Sequence, residues 1–293
     1  MKNNGFDSVE TRRRWLAASA AIPALASLGA LHAQANAPVV IGWLDIASRD
    51  AGRHGLNAFN EGMAALGWKM GAQYVLEARH ADGYAERLPA LAQELAVTKP
   101  ALIVAALSPS ARAAAAAAPP TPIVLANGDP MSSGLVASLA RLGGLITGVS
   151  NVARDTGLKV IELLVESLPR LKRVGFLADR AIWRLRRTSS RPAWFSSHLS
   201  TIIQLARAQR WPVVGNVSSL ARLGGLFTFG ADTQALARRS AYDVDRILKG
   251  AKPGELPIEQ PTTFRLVLNM KTAKTLGITM PPSMLVRATE VIE

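Results

Sequence analysis

The chain contains no cysteine. That excludes a disulfide framework, a thiolate metal site and a thiol nucleophile. Histidine is scarce, with four at positions 32, 54, 80 and 198, and their scatter lacks the spacing of a zinc site. Aromatic residues make up only 5%. No basic stretch alternates with them, as a single-strand nucleic-acid binder requires. The Gly-x-Ser-x-Gly elbow, the Gly-x-Gly-x-x-Gly turn and the phosphate-loop pattern are all missing. No Ser, His and Asp stand at a spacing that singles out a triad. Beyond residue 35, no apolar run is long enough to span a bilayer.

What is present is an apolar, basic chain of 293 residues, 49% hydrophobic, enough to bury a core and fill two lobes. The net charge of +13 raises nucleic acid as a partner. Yet five arginines and no acidic residue fall between Arg180 and Arg191, and the remaining charge is spread along the chain. No nucleic-acid partner is expected. Residues 1–35 read as an export signal of the twin-arginine type: Thr11-Arg-Arg-Arg-Trp-Leu16, an Ala-rich apolar stretch, then Ala33-Gln-Ala35 as a cleavage site. The alternative is a membrane anchor. Pro23, Gly29 and the alanine content argue against it. Cleavage near Ala35 would leave a periplasmic protein.

From Pro38 the sequence alternates short apolar runs with helical periods. Runs at 38–45, 74–78, 101–107, 122–126 and 145–149 read as strands. Helical periods at 56–66 and 84–98, and an alanine helix from Ser108 to Ala118, lie between the first four. This order predicts an α/β fold with a parallel sheet flanked by helices. Right-handed crossovers then bring the loops at 46–52, 108–110 and 127–131 to one edge of the sheet, where open α/β sheets bind ligands.

The polar residues at that edge each carry two readings. Ser48 ends the loop after the first strand. Ser108 and Ser110 open a helix, either as backbone caps or as part of a helix N-terminus that holds a ligand carboxylate. Asp129, before Pro130, is a turn starter or a partner for a ligand ammonium. Asn127 precedes it in the same loop, and Asn151 follows the fifth strand. Asn216, after a run at 211–215, is a turn residue or faces the same ligand from the second lobe. Asp45 is expected to be solvated.

The stretch Asp129-Pro130, Gly134-Leu-Val-Ala-Ser-Leu-Ala-Arg-Leu-Gly-Gly144 and Thr147-Gly-Val-Ser150 resembles a signature of ABC-transporter substrate-binding proteins of the type I periplasmic-binding fold. Leu142 stands where that family usually has Pro. The C-terminal run from Val244 to Glu293 is also similar. The resemblance covers about 38–178 and 194–293. It implies two lobes, each a parallel sheet flanked by helices, closing on a small ligand and delivering it to an inner-membrane permease. The protein would be a monomer without cofactor, metal or catalytic residues. An amino acid is the first solute it suggests, with the Ser108 helix start taking the carboxylate and Asp129 the ammonium. The expected lobes are 36–148 plus 263–293 and 149–262, with hinge crossings at 149–156 and near 259–263.

In the second lobe a helix at 156–168 and a strand at 173–178 follow the family pattern, which then breaks. Residues 180–193 show no period, and about 40 residues of the family pattern are missing there. Two readings stand: a basic loop in a shortened lobe, or a deletion with a local frame slip. Two other functional classes follow. One is a degenerate receptor that no longer binds or serves as a sensor partner. The other is an α/β enzyme using the same cleft.

Overall fold

In the third strand, Leu102 and Val104 point to one side and Ile103 and Ala105 to the other, and all four are fully buried. A strand apolar on both faces needs cover on both. This computed structural model describes residues 37–131, 134–135, 144–151, 156–177 and 199–293. The unit Pro38–Glu293 holds two sheets. The first contains β1 (Val39–Asp45), β2 (Tyr74–His80), β3 (Leu102–Ala105), β4 (Ile123–Leu125) and β5 (Ile146–Gly148) in the order β2-β1-β3-β4-β5, all parallel. Helices α1 (Arg49–Ala65), α2 (Leu88–Val97) and α3 (Ser108–Ala117) connect its first four strands.

The two faces of that sheet are covered from different parts of the chain. Ile103, Ala105 and Leu125 pack on Leu88, Ala92 and Leu95 of α2 and on Ala111 and Ala114 of α3. On the other face Ile41, Trp43, Leu102 and Val124 pack on Phe59 and Met63 of α1, together with Ala241 and Val244. Those last two belong to α7 (Thr233–Leu248). The Trp68 indole N–H donates to Asp245 Oδ1 at 2.9 Å, and Arg238 pairs with Glu61. A helix that follows a second-lobe strand thus completes the core of the first lobe.

The second sheet is built from β6 (Val214–Gly215), β7 (Phe227–Ala231), β8 (Phe264–Asn269) and β9 (Glu290–Ile292), in that order. Leu163 and Leu164 of α4 (Thr156–Ser167) pack on Phe227, Leu266 and Leu268. Ala273 of α8 (Met270–Leu276) and Met284 of α9 (Pro282–Arg287) join that cluster. A smaller cluster joins Leu199 and Ile203 of α5 (Leu199–Ala208) to Leu220 of α6 (Ser218–Arg222).

Four expectations are corrected here. Residues 263–293 do not join the first sheet: β8 pairs with β7 and β9 with β8. Residues 233–248 leave the second lobe for the first, because the apolar face of α7 matches α1. The chain therefore passes between the sheets at Asp232 as well as somewhere between Gly148 and Thr156 and before Phe264. Lastly, 173–177 forms no strand, since nothing among the described residues pairs with it, and Val174, Phe176 and Leu177 are exposed. The second sheet also carries one antiparallel pair, β7 with β8, where parallel strands were expected throughout. The segment 180–193 lies outside the described residues.

Candidate functional site

Because β3, β4 and β5 are adjacent and parallel, the residues after their C-terminal ends meet at one edge. Gly128 makes the meeting close. A Cβ there would lie 2.5 Å from Ser108 Oγ and 3.0 Å from Ser108 N, so a side chain has no room. The Ser108 hydroxyl accepts from the Asp129 N–H at 2.9 Å. The Gly128 carbonyl accepts from the Asn151 N–H at 2.9 Å and from the Ser150 hydroxyl at 3.2 Å. Gly148 lets β5 run this close to β4. Its φ is +127°, and a Cβ would fall 2.1 Å from the Leu125 carbonyl oxygen. Gly128 and the signature residues Asp129, Gly148 and Ser150 are thus one knot of close contacts.

This knot brings Ser108, Asn127, Asp129 and Asn151 together. It also shows what two of them do. Leu107, not a serine, occupies the position before α3 and makes no side-chain cap. Ser108 instead fastens the Asp129 loop, so the capping role expected for it is replaced by a longer-range one. Ser110 is 0% exposed, two residues into α3, and its hydroxyl has no hydrogen-bond partner. The Asn127 Oδ1 is likewise buried without a partner. Buried polar atoms are nearly always bonded. These two open polar atoms, one in the first turn of α3 and one after β4, are a candidate place for a ligand's polar groups.

Ser48 lies at the same edge, after β1, and caps α1 by accepting from Ala51 N–H at 3.3 Å. Beside it, Asp45 is 4% exposed, which corrects the solvated reading. Burial raises its carboxyl above the usual range, against the Ala47 N–H, which donates to it at 2.9 Å, and the nearby His80. Asn216 follows β6 on the second sheet and is exposed, with its carbonyl against Gly230. It stands apart from the first-lobe group, on the other sheet.

The family of ABC transporter substrate binding proteins matches residues 39–181 and 189–292, leaving only 182–188 unmatched within that range. The chain belongs to this family. A structure from Streptococcus pneumonia, an ABC domain in complex with L-Trp, is similar at 22% identity and a TM-score of 0.76, covering 87% of this chain and 100% of that one. A conserved domain protein from Vibrio cholerae is similar at 23% identity and a TM-score of 0.78, covering 87% and 100%. A tyrosine-binding protein of Clostridioides difficile is 21% identical over 262 residues, 75% of each chain. Both solved neighbours share the two-lobed fold.

In this substrate-binding protein the crossings carry residues that the sequence reading missed. Glu259 N–H donates to Gly148 O at 3.0 Å, and Ser150 N–H donates to Glu259 O at 2.7 Å. Arg239 of α7 grips the Glu259 carboxylate through two nitrogens, Nε at 2.7 Å. The Thr147 hydroxyl donates to Leu256 O at 2.9 Å. At the remaining crossing, Asp232 N–H donates to Thr263 O at 3.0 Å while its side chain caps α7. Only the Thr-Gly-Val-Ser signature hinted at the first of these. Periodicity says nothing about a single Glu–Arg contact.

Proposed function

We propose that the protein is an exported solute receptor of an ABC importer that closes its lobes on a small ligand, an amino acid. The observation that carries this reading is a pair of buried polar atoms without partners, Ser110 Oγ in the first turn of α3 and Asn127 Oδ1 after β4. A helix N-terminus favours a carboxylate, and the Asp129 carboxyl would take the ammonium. Ser48 and Asn151 complete the first-lobe side, and Asn216 meets the ligand from the second. Closure is driven by contacts to both lobes, which only the closed state makes. That relatives are named for L-Trp and tyrosine supports an aromatic amino acid as the first choice. Membership of the family supports delivery to an inner-membrane permease. The twin-arginine pattern supports export to the periplasm with cleavage near Ala35.

Thermal unfolding of residues 36–293 with L-Trp, L-Tyr and other amino acids tests this. A ligand at 100 times its Kd stabilises by about 2.7 kcal/mol, roughly 5 to 10 °C in a chain of this size. A cooperative transition that no amino acid moves refutes the reading. A second reading has its own observation. Leu158, Ile161 and Val165 form an exposed apolar stripe on α4, and Val174, Phe176 and Leu177 are also bare. A second lobe shortened near 180–193 leaves such faces uncovered. The chain would then be a receptor by descent only, and its second lobe would unfold broadly and apart from the first.

A further inference from the structure

Glu259 is held from two directions. Its backbone forms a parallel bridge with Val149, through the bonds to Gly148 and Ser150. Its carboxylate is held by Arg239, whose guanidinium lies 3.9 Å over the Tyr242 ring. One helical turn beyond Arg239, Asp243 is only 3% exposed, and its Oδ2 has no hydrogen-bond partner. Two carboxylates thus stand near one guanidinium, and Glu259 is bonded to it. A buried carboxylate without hydrogen bonds is costly when charged.

The charges around Asp243 come from few places. Burial is the main cause that raises its carboxyl to about 7. Glu259 adds to this, while Arg239 and Arg246 oppose it. From α1, Glu61 is turned to Arg238. Lys249 is turned to Asp245. Strands β4 and β5, which also pack against α7, contain no titratable residue.

We propose that Asp243 is a proton-operated brake on the crossing at Glu259. Neutral, it leaves Arg239 to Glu259, and the bridge to Gly148 and Ser150 stays closed. Ionised, it competes for Arg239 and loosens that bridge. Ser150 and Asn151 hold Gly128, so the loop carrying Asn127 and Asp129 loosens with it. Loss of one proton near neutral pH is thereby felt at the ligand edge, whatever the ligand is.

The test needs no ligand, so it stands or falls separately from the amino-acid reading. Hydrogen exchange of the full chain is followed at the Ser150 and Glu259 amides at pH 6 and pH 8, after correction for the intrinsic pH dependence of exchange. Amides of β1 and β3 serve as the reference. If opening fully relieves Asp243, the opening ratio rises by up to about tenfold over this interval. In Asp243→Asn it stays flat. In Glu259→Gln, which removes the like charge and frees Arg239, the response moves to lower pH. A flat wild-type response overturns the proposal, as does an unchanged response in Asp243→Asn or one still centred near neutral in Glu259→Gln.

Discussion

Replacing Gly148 with alanine tests the knot at its tightest point. The new Cβ would lie 2.1 Å from Leu125 O and 2.5 Å from Leu125 N, both backbone atoms that no rotamer change can move. At φ +127° an alanine costs about 1–3 kcal/mol in backbone strain. Relieving the clash moves β5 off β4. That weakens the Val149 N–H bond to Leu125 O, at 2.8 Å, and the Glu259 N–H bond to Gly148 O, each worth about 1 kcal/mol. The expected loss is roughly 3–5 kcal/mol, a large part of a typical domain's stability. Gly250→Ala is the control. Gly250 also has positive φ, at +97°, but nothing lies within 4 Å of its built Cβ. It should cost about 1–2 kcal/mol. Urea unfolding followed by far-UV circular dichroism measures both. If the two variants differ by less than about 1 kcal/mol, the clash argument fails, and the signature glycine is explained by its φ alone.

Further outcomes follow from the same contacts. Ser108→Ala leaves the Asp129 N–H without its acceptor and should cost about 1–3 kcal/mol in urea unfolding. It should also reduce the thermal shift given by any amino acid that binds. Glu290→Gln should lower stability at pH 7 by about 1 kcal/mol, since Arg222 and Arg265 both bond that carboxylate. The Arg222 hydrogen bond is the first cause holding the Glu290 carboxyl below its usual value. Its stabilisation is therefore present above the ordinary glutamate range and is lost as pH falls through the lower folded-state value. Wild type and variant should converge in acid, and a gap that persists there sinks this account.

The first sheet was legible because its strands announce themselves. Val39–Asp45, Leu102–Ala105 and Ile123–Leu125 are apolar runs with polar residues at or soon after their ends, and the helices between them carry clear periods. Alternation of elements then put the loops after these strands on one edge, so Ser108, Asn127, Asp129 and Asn151 fell together as expected. The roles were less legible. A serine at a helix start looks like a cap whether it bonds its own turn or, as Ser108 does, a loop 21 residues on. Asp45 looked like a loop residue because burial of a strand end is decided by neighbours distant in sequence. The lobe boundaries failed for a like reason. The amphipathic face of α7 predicts burial, but not which sheet receives it. Arg239 and Asp243 gave no signal, and Glu259 only marked a crossing, since their contacts depend on how the crossings pack.

The placement of α7 has a consequence for how the chain is made. Trp68 and Asp245 are 177 residues apart in sequence, as are Glu61 and Arg238. A nascent chain that has emerged only as far as β5 shows a sheet with one face still wet, its Trp43, Phe59 and Met63 waiting for a helix yet to be synthesised. Such distant closures slow folding. The first lobe is therefore finished late, and a protein delivered in sections, rather than whole, would meet its destination with that face still open.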